Sequence, residues 1–442
     1  MQLDLDEFSR ALRQALLDNP ALPATGKVFE VLGTLIRVSG MNVKLGELCE
    51  LRDPGGAVLQ KAEVVGISRS TAILSPFDEL NGISTSTRVF ATGRPLSVPV
   101  GPGLLGRVIS GLGEPIDGKG ELLCNDERPV FRDPPDPMQR RVIEHPMPTG
   151  VRAIDALMTL GEGQRMGIFA PAGVGKSTLM GMLARGTRCD INVIALIGER
   201  GREVREFIEM ILGEEGMRRS VVVCATSDRS SIERAKAAYL ATAVAEYFRD
   251  RDQKVLLMMD SLTRFARALR EIGLARGEPP ARRGFPPSVF AEIPRLLERA
   301  GMGARGSITA LYTVLAEDES GSDPIAEEVR GILDGHMILS RRIAAMNQYP
   351  AIDALASLSR VMTQVVPARH AQAASRMRKL MAKYQEIEPL IQLGEYAKGN
   401  DSEGDEAIDK QTRIRALLGQ RTDELVPFEQ TVSELGRIAA PA

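Results

Sequence analysis

From Thr149 to Val366 short apolar runs alternate with stretches whose apolar residues recur at helical spacing. Strands are expected at Met166–Ala170, Val193–Gly198, Val221–Thr226, Val255–Met259 and Ile308–Val314. Helices are expected at Lys176–Arg185, Glu203–Leu212, Ser231–Phe248, Leu262–Ile272 and Val289–Ala300. Such alternation predicts an α/β core, a mostly parallel sheet with helices on both faces. Ahead of it, residues 25–99 break into short β-branched or alternating runs such as KVFEVLGTLIRVSG and TAILSPF, punctuated by turn residues such as Asp53-Pro54-Gly55-Gly56. That pattern predicts a small antiparallel barrel. Residues 1–24 place Leu5, Phe8, Leu12 and Leu16 on one helical stripe, an amphipathic helix ended by Pro20 and Pro23. A polar face of both signs favours docking on its own domain or a partner over lying on a membrane. Residues 100–150 are rich in Gly and Pro and read as a linker pinned to the core; 100–366 is taken as linker plus core. Strand signals stop after Pro367, and residues 367–442 read as a small helical domain. Its helices are expected at Ala373–Gln392 and Asp409–Leu418, joined by an acidic loop at Gly399–Glu406.

Composition narrows the chemistry. The 442 residues suffice for about three domains. A net charge of -2 argues against a dedicated nucleic-acid binder, and the absence of Trp leaves few stacking platforms. Cys49, Cys124, Cys189 and Cys224 form no metal or disulfide spacing, which fits a reducing cytoplasm. His145, His336 and His370 form no close cluster. No apolar run has membrane-spanning length, and no signal peptide is evident, so membrane association is expected to be peripheral.

The core carries its chemistry at strand ends. The run Gly167–Leu179, GIFAPAGVGKSTL, is a strand, a Gly-rich turn and a helix opening on Lys-Ser. Loop and helix N–H groups point at an anion, and Gly173 and Gly175 let the backbone approach it. Gly173, Val174, Gly175, Lys176, Ser177 and Thr178 form the phosphate-binding set, with Lys176 charged toward the β- and γ-phosphates and Ser177 offering a hydroxyl to Mg²⁺. Ala170 stands where the pattern has its first Gly, a position that ends the strand and need not have positive φ. The apolar strand KVLLMMD closes on Asp260, a carboxylate suited to Mg²⁺ through water. Glu199, just past another strand, is placed to orient or deprotonate water, and Arg200 to reach a γ-phosphate. The spacing leaves this pair open between an active site and a surface cluster. Arg360, closing YPAIDALASLSR, is of the type that a neighbouring subunit lends to phosphoryl transfer; sequence alone cannot aim it, and a structural salt bridge is the default.

Together the phosphate loop, GERGREVREF, LLMMDSLTRFARALREIG, GFPPSVFAEIPRLLERAG, RGILDGHMILSR and YPAIDALASLSRVM resemble the rotary-type ATPase family, over about residues 25–366. That family includes the catalytic subunits of ATP synthases and the ATPases of type III secretion and flagellar export. The segment LGEEGMRRSVVVCATSDRSSIERAKAAYLATAVAEYFRD is most similar to the non-flagellar secretion ATPases, with the flagellar export ATPase second. The resemblance implies a RecA-like P-loop core between an N-terminal barrel and a helical C-terminal domain. It implies ATP and Mg²⁺, with Glu199 as the catalytic carboxylate, Arg200 on the γ-phosphate, Glu203 and Asp260 holding waters on Mg²⁺, Tyr349 against the adenine and Arg360 as the arginine finger. It further implies a homohexameric ring that releases chaperones and unfolds exported proteins, meeting a stator-like regulator, a central stalk and chaperone–effector complexes. The expected place is cytoplasmic, with peripheral contact at the inner membrane or export gate. A hexameric nucleic-acid motor would need the barrel's Phe29, Phe77 and Phe90 set among surplus basic residues, and they are not.

Overall fold

The computed structural model describes residues 25–316 and 323–441. The expected helix at 1–24 lies outside the described residues. Six strands, β1 (Thr25–Leu32), β2 (Leu35–Ser39), β3 (Glu47–Arg52), β4 (Val58–Ile67), β5 (Thr71–Pro76) and β6 (Arg88–Pro95), close a barrel in the order β1-β2-β5-β4-β3-β6. Every pair is antiparallel, and the closed ring leaves no edge unpaired. Inward residues such as Ile36, Val38, Leu51 and Leu74 are fully buried.

The stretch read as linker does more than connect. β7 (Ser97–Val100) pairs with β9 (Asp126–Pro129), and β8 (Val108–Ser110) joins the edge of the core sheet. The core strands are β10 (Arg165–Ala170), β11 (Ile191–Ile197), β12 (Ser220–Ala225), β13 (Lys254–Asp260), β14 (Gly301–Met302), β15 (Ser307–Leu315), β16 (Gly335–Leu339) and β17 (Ile352–Ser359). Their order is β17-β16-β10-β15-β13-β11-β12-β8, with β14 on β15; only the β16–β17 and β14–β15 pairs are antiparallel. Every residue of β11 and β12 is buried, because helices or strands cover both faces.

The helices are α1 (Arg152–Leu157), α2 (Lys176–Gly186), α3 (Gly201–Glu206), α4 (Gly213–Arg218), α5 (Ser231–Arg249), α6 (Leu262–Ala275), α7 (Pro287–Leu297), α8 (Pro324–Ile332), α9 (Arg341–Ala345) and α10 (Met362–Val365), then α11 (Ala368–Leu393), α12 (Ser402–Leu418) and α13 (Phe428–Ala439). Two expectations need correction. The single helix expected at Glu203–Leu212 is α3 followed by a π-helical turn at Phe207–Leu212, because Gly213 (φ 66°) turns the chain into α4. The acidic loop expected to run to Glu406 ends at Asp401, whose side chain accepts from the N–H groups of Glu403 and Gly404 and so starts α12.

Helix α5 is buried nearly all round, between the sheet and the barrel side of the molecule. Its charges are paired accordingly. Lys236 Nζ donates to both oxygens of Glu63 on β4 (2.7 and 2.6 Å). Glu246 takes a bidentate contact from Arg299 (2.9 and 3.0 Å), which also donates to the Val130 carbonyl. These pairs register barrel, linker and core against one another. At the other end, buried His370 on α11 bonds the Ala156 carbonyl (3.0 Å), seating the helical domain on α1.

Candidate functional site

Strand β10 ends at Ala170, which pairs with Leu315 in the ladder and is fully buried. The position where the loop pattern has its first Gly is thus ordinary strand, and the alanine there is without conformational cost. The chain then turns through Gly173 (φ 82°) and Gly175 (φ 85°), both in the left-handed region that favours glycine. Val174 between them is buried and anchors the loop. Gly175 is the N-cap of α2 and brings no side-chain acceptor, so the first-turn N–H groups lack a side-chain cap. That is an anion seat.

Strands β11 and β13 are parallel neighbours, so their carboxyl ends open on the same edge. Asp260 is the last residue of β13; Glu199 follows β11 after Gly198, whose φ of 69° and contact with Arg264 exclude a Cβ. Lys176 Nζ bonds Asp260 Oδ1 and stands 3.9 Å from Glu199 Oε1. Thr313 Oγ1 donates to the same Asp260 oxygen (2.7 Å). Arg264 Nη2 lies 3.3 Å from Glu199 Oε2. Glu199 is buried, yet its Oε1 has no hydrogen-bond partner. Burial, and next the charge of Asp260, push its carboxyl up to about 7, while Lys176 and Arg264 pull the other way. A buried acceptor without a donor, beside a lysine, is a site built to receive one.

The remaining predicted residues are placed unequally. Ser177 and Thr178 are both exposed on the first turn of α2. Arg200 is exposed and pairs with Glu203 (3.0 Å), one turn along α3. Tyr349 is 40 % exposed, and its ring would be 3.5 Å from a Cβ on Gly175, so it overhangs the loop. Arg360 follows β17, the outermost strand; it is exposed and has no bond to Lys176, Glu199 or Asp260. Its guanidinium has no ion pair among the described residues.

Two parts of the site escaped sequence reasoning. Arg264 and Thr313 sit within reach of the carboxylates; Arg264, in the first turn of α6, is four residues past Asp260 in DSLTRF, which was signal enough to raise it. The other part is Gln420–Asp423, which with Gly175, Thr178, Met182 and Tyr349 lines a cleft of about 660 Å³. Gln420 clips this wall in place: its amide bonds Arg152 N (2.8 Å), the Gly150 carbonyl (2.7 Å) and the Glu424 carbonyl (2.8 Å), and its N–H donates to the Tyr349 carbonyl (2.8 Å). Nothing in the local sequence points there.

The arrangement offers an uncapped helix start and lysine for phosphates, an aromatic-walled cleft for a base, and a buried carboxylate for water. These fit a nucleoside triphosphate. Ser177 and Asp260 supply one hydroxyl and one carboxylate, the sparse protein contribution that Mg²⁺ takes when phosphates and water fill the rest.

Comparison with known proteins agrees. Residues 150–359 match the ATP synthase alpha/beta family nucleotide-binding domain, 28–93 its beta-barrel domain, and 366–437 the T3SS EscN ATPase C-terminal domain. The chain is 70% identical to a type 3 secretion system ATPase of Xanthomonas euvesicatoria, covering 94% of each chain. It is 51% identical to the flagellum-specific ATP synthase of Bacillus subtilis, over 93% of this chain and 94% of that one. Among solved structures it is similar to the assembled ATPase EscN in complex with its central stalk EscO, from the enteropathogenic E. coli type III secretion system. That match has a TM-score of 0.88 at 46% identity and covers 94% of this chain and 100% of the other.

Proposed function

This chain belongs to the ATP synthase alpha/beta family and, within it, to the type 3 secretion system ATPases, and on that premise we propose that it works as a homohexameric ring whose nucleotide sites are completed by the neighbouring subunit. It is an ATP hydrolase of a bacterial type III secretion system. The higher identity to the secretion ATPase than to the flagellar one favours the non-flagellar system. The work done is release of chaperones from exported proteins and their unfolding. The helical C-terminal domain meets chaperone and cargo, and a central stalk and stator-like regulator engage the ring. The ring works in the cytoplasm at the inner-membrane face of the apparatus; among the described residues no helix is long and apolar enough to cross a membrane.

The observation that carries the mechanism is the unpartnered Glu199 Oε1 beside Lys176. In its ionised form Glu199 accepts a hydrogen bond from water and aligns it for attack on the γ-phosphorus. Lys176 carries positive charge to the β- and γ-phosphates, and the N–H groups of Gly173 to Thr178 hold the phosphate chain. Mg²⁺, held by Ser177 and through water by Asp260 and Glu203, would neutralise phosphate charge when bound. Arg264 holds Glu199 by one oxygen and leaves the other free. Arg200 turns from Glu203 toward the γ-phosphate. Tyr349 packs on the adenine. Arg360, exposed just past the outermost strand and without an ion pair among the described residues, is presented to the next subunit's γ-phosphate. A heterologous contact that closes into a ring lets every copy lend this residue.

The test is ATPase rate against protein concentration for the parent and Arg360→Ala. A shared site predicts specific activity that climbs with concentration. It also predicts a loss of about 10³ in kcat for Arg360→Ala with ATP binding retained. Flat specific activity together with a near-normal Arg360→Ala protein would end the shared-site mechanism.

A further inference from the structure

The phosphate-binding helix, the π-helical turn behind it and the 420–423 wall of the cleft meet at one guanidinium outside the phosphate site. Arg185, half-buried, lies in the last turn of α2, the helix that opens on Lys176. Its Nη1 donates to the carbonyl of Ile211, in the π-helical turn that continues from Glu199 through α3. Its Nη2 donates to the carbonyl of Thr422 (2.7 Å), in the wall that faces Tyr349 and Gly175 across the cleft. The helix and the π turn are in close contact here: a Cβ on Gly181 would lie 1.9 Å from Ile211 Cγ2.

Arg185 is not occupied in capping its own helix. Arg219 does that, donating to the carbonyls of Ala184 and Arg185 (2.8 Å each). The Arg185 side chain instead leaves the helix and spans to two carbonyls more than two hundred residues apart in the chain. A planar fork of five donors can do this; a lysine is a single charged point on a flexible stem.

We propose that Arg185 is a positioning residue for nucleotide affinity. It ties the 420–423 wall to the far end of the phosphate-binding helix and to the segment after Glu199, and so sets the width of the base end of the cleft. The proposal rests on the reading of this cleft as the ATP site. Arg185 touches neither Lys176, Glu199 nor Asp260, so its loss acts on binding of the base and ribose and spares the phosphate chemistry.

The test uses the full chain carrying Arg185→Gln or Arg185→Lys, with Lys176→Ala as the control. Equilibrium binding of ATP and of inorganic tripolyphosphate is measured with Mg²⁺ present, alongside kcat, KM and thermal midpoint. Arg185→Gln is expected to weaken ATP binding about tenfold, on the order of one net hydrogen bond, and to raise KM in step. Its kcat stays within about twofold and its tripolyphosphate affinity is unchanged, because ground-state binding alone is lost. Arg185→Lys, keeping one of two donations, falls between. Unchanged ATP affinity in Arg185→Gln, or equal weakening of ATP and tripolyphosphate, overturns the proposal. If Arg185→Gln does not fold, the same comparison on Arg185→Lys decides it. Lys176→Ala binding ATP as tightly as the parent would instead remove the nucleotide reading itself, whatever the Arg185 variants do.

Discussion

The two ends of the cleft are built by different means. At the phosphate end the groups are buried or half-buried and packed on one another: Lys176, Asp260, Thr313, Glu199 and Arg264 form a chain of contacts among α2, β13, β15, the end of β11 and α6. Thr313, Asp260 and Glu199 stand on or just past the adjacent strands β15, β13 and β11, so their spacing is as rigid as the ladder beneath them. At the base end Tyr349 is 40 % exposed and Gln420–Asp423 come from the far domain, held by hydrogen bonds to backbone carbonyls. In the proposed mechanism the rigid end does the chemistry, where misplacement costs rate. On the same reading the looser end sets affinity, and being one place where core and helical domain touch, it is where a movement of that domain would be felt.

The strongest way to break this division is Glu199→Gln. It keeps shape and removes the carboxylate, so kcat is expected to fall by about 10³ while ATP binding stays within a few fold. Single-turnover hydrolysis and equilibrium binding check it; a near-normal kcat would move the chemistry elsewhere.

Next is pH. The Glu199 carboxyl is raised from 4.5 to about 7, so the free enzyme holds it protonated and inactive below that pH. The kcat/KM for ATP should rise about tenfold per unit on the acid side and level above about pH 8. Removing Arg264, which favours the charged form, should shift that limb to higher pH. The stability sign is opposite: a raised carboxyl binds its proton more tightly when folded. Its contribution is therefore full below about pH 4.5 and lost as pH rises through 7. Thermal midpoints of the nucleotide-free protein should show this slope, and Glu199→Gln should flatten it.

Tyr349→Ala addresses the other end. It is expected to raise KM for ATP about tenfold with kcat within about threefold, since a stacking contact is lost and no reacting group moves. A fall in kcat matching the Glu199 variant would show that the two ends are not separable. The smallest effect is expected from Gln420→Asn, which shortens the clip by one methylene: KM should rise about threefold, with a small drop in thermal midpoint.

Much of this was legible in the chain. The GIFAPAGVGKSTL run predicted a strand, a loop and a helix, and all three are there. The runs ending in Asp260 and near Glu199 predicted two carboxylates on one sheet edge, because parallel strands end together. Less was legible where contacts are long-range. The Gly- and Pro-rich stretch after the barrel contributes edge strand β8 to the core, which composition alone presented as a connector. The π turn at Phe207–Leu212 departs from a helical pattern that looked continuous, because Gly213 redirects the chain.

What the sequence determined by itself is the local chemistry: the phosphate loop, the lysine, the strand-end carboxylates, and the family whose motifs they share. Each depends on residues within a few positions of one another, whose geometry follows from backbone φ and strand or helix period. Only the tertiary structure decided that Arg264 takes one oxygen of Glu199 and leaves the other free. It alone decided that Gln420–Asp423 close the base end and that Arg185 ties them to Ile211. Those contacts join segments tens to hundreds of residues apart through single side chains and carbonyls. Such pairings leave no periodicity in the chain to read.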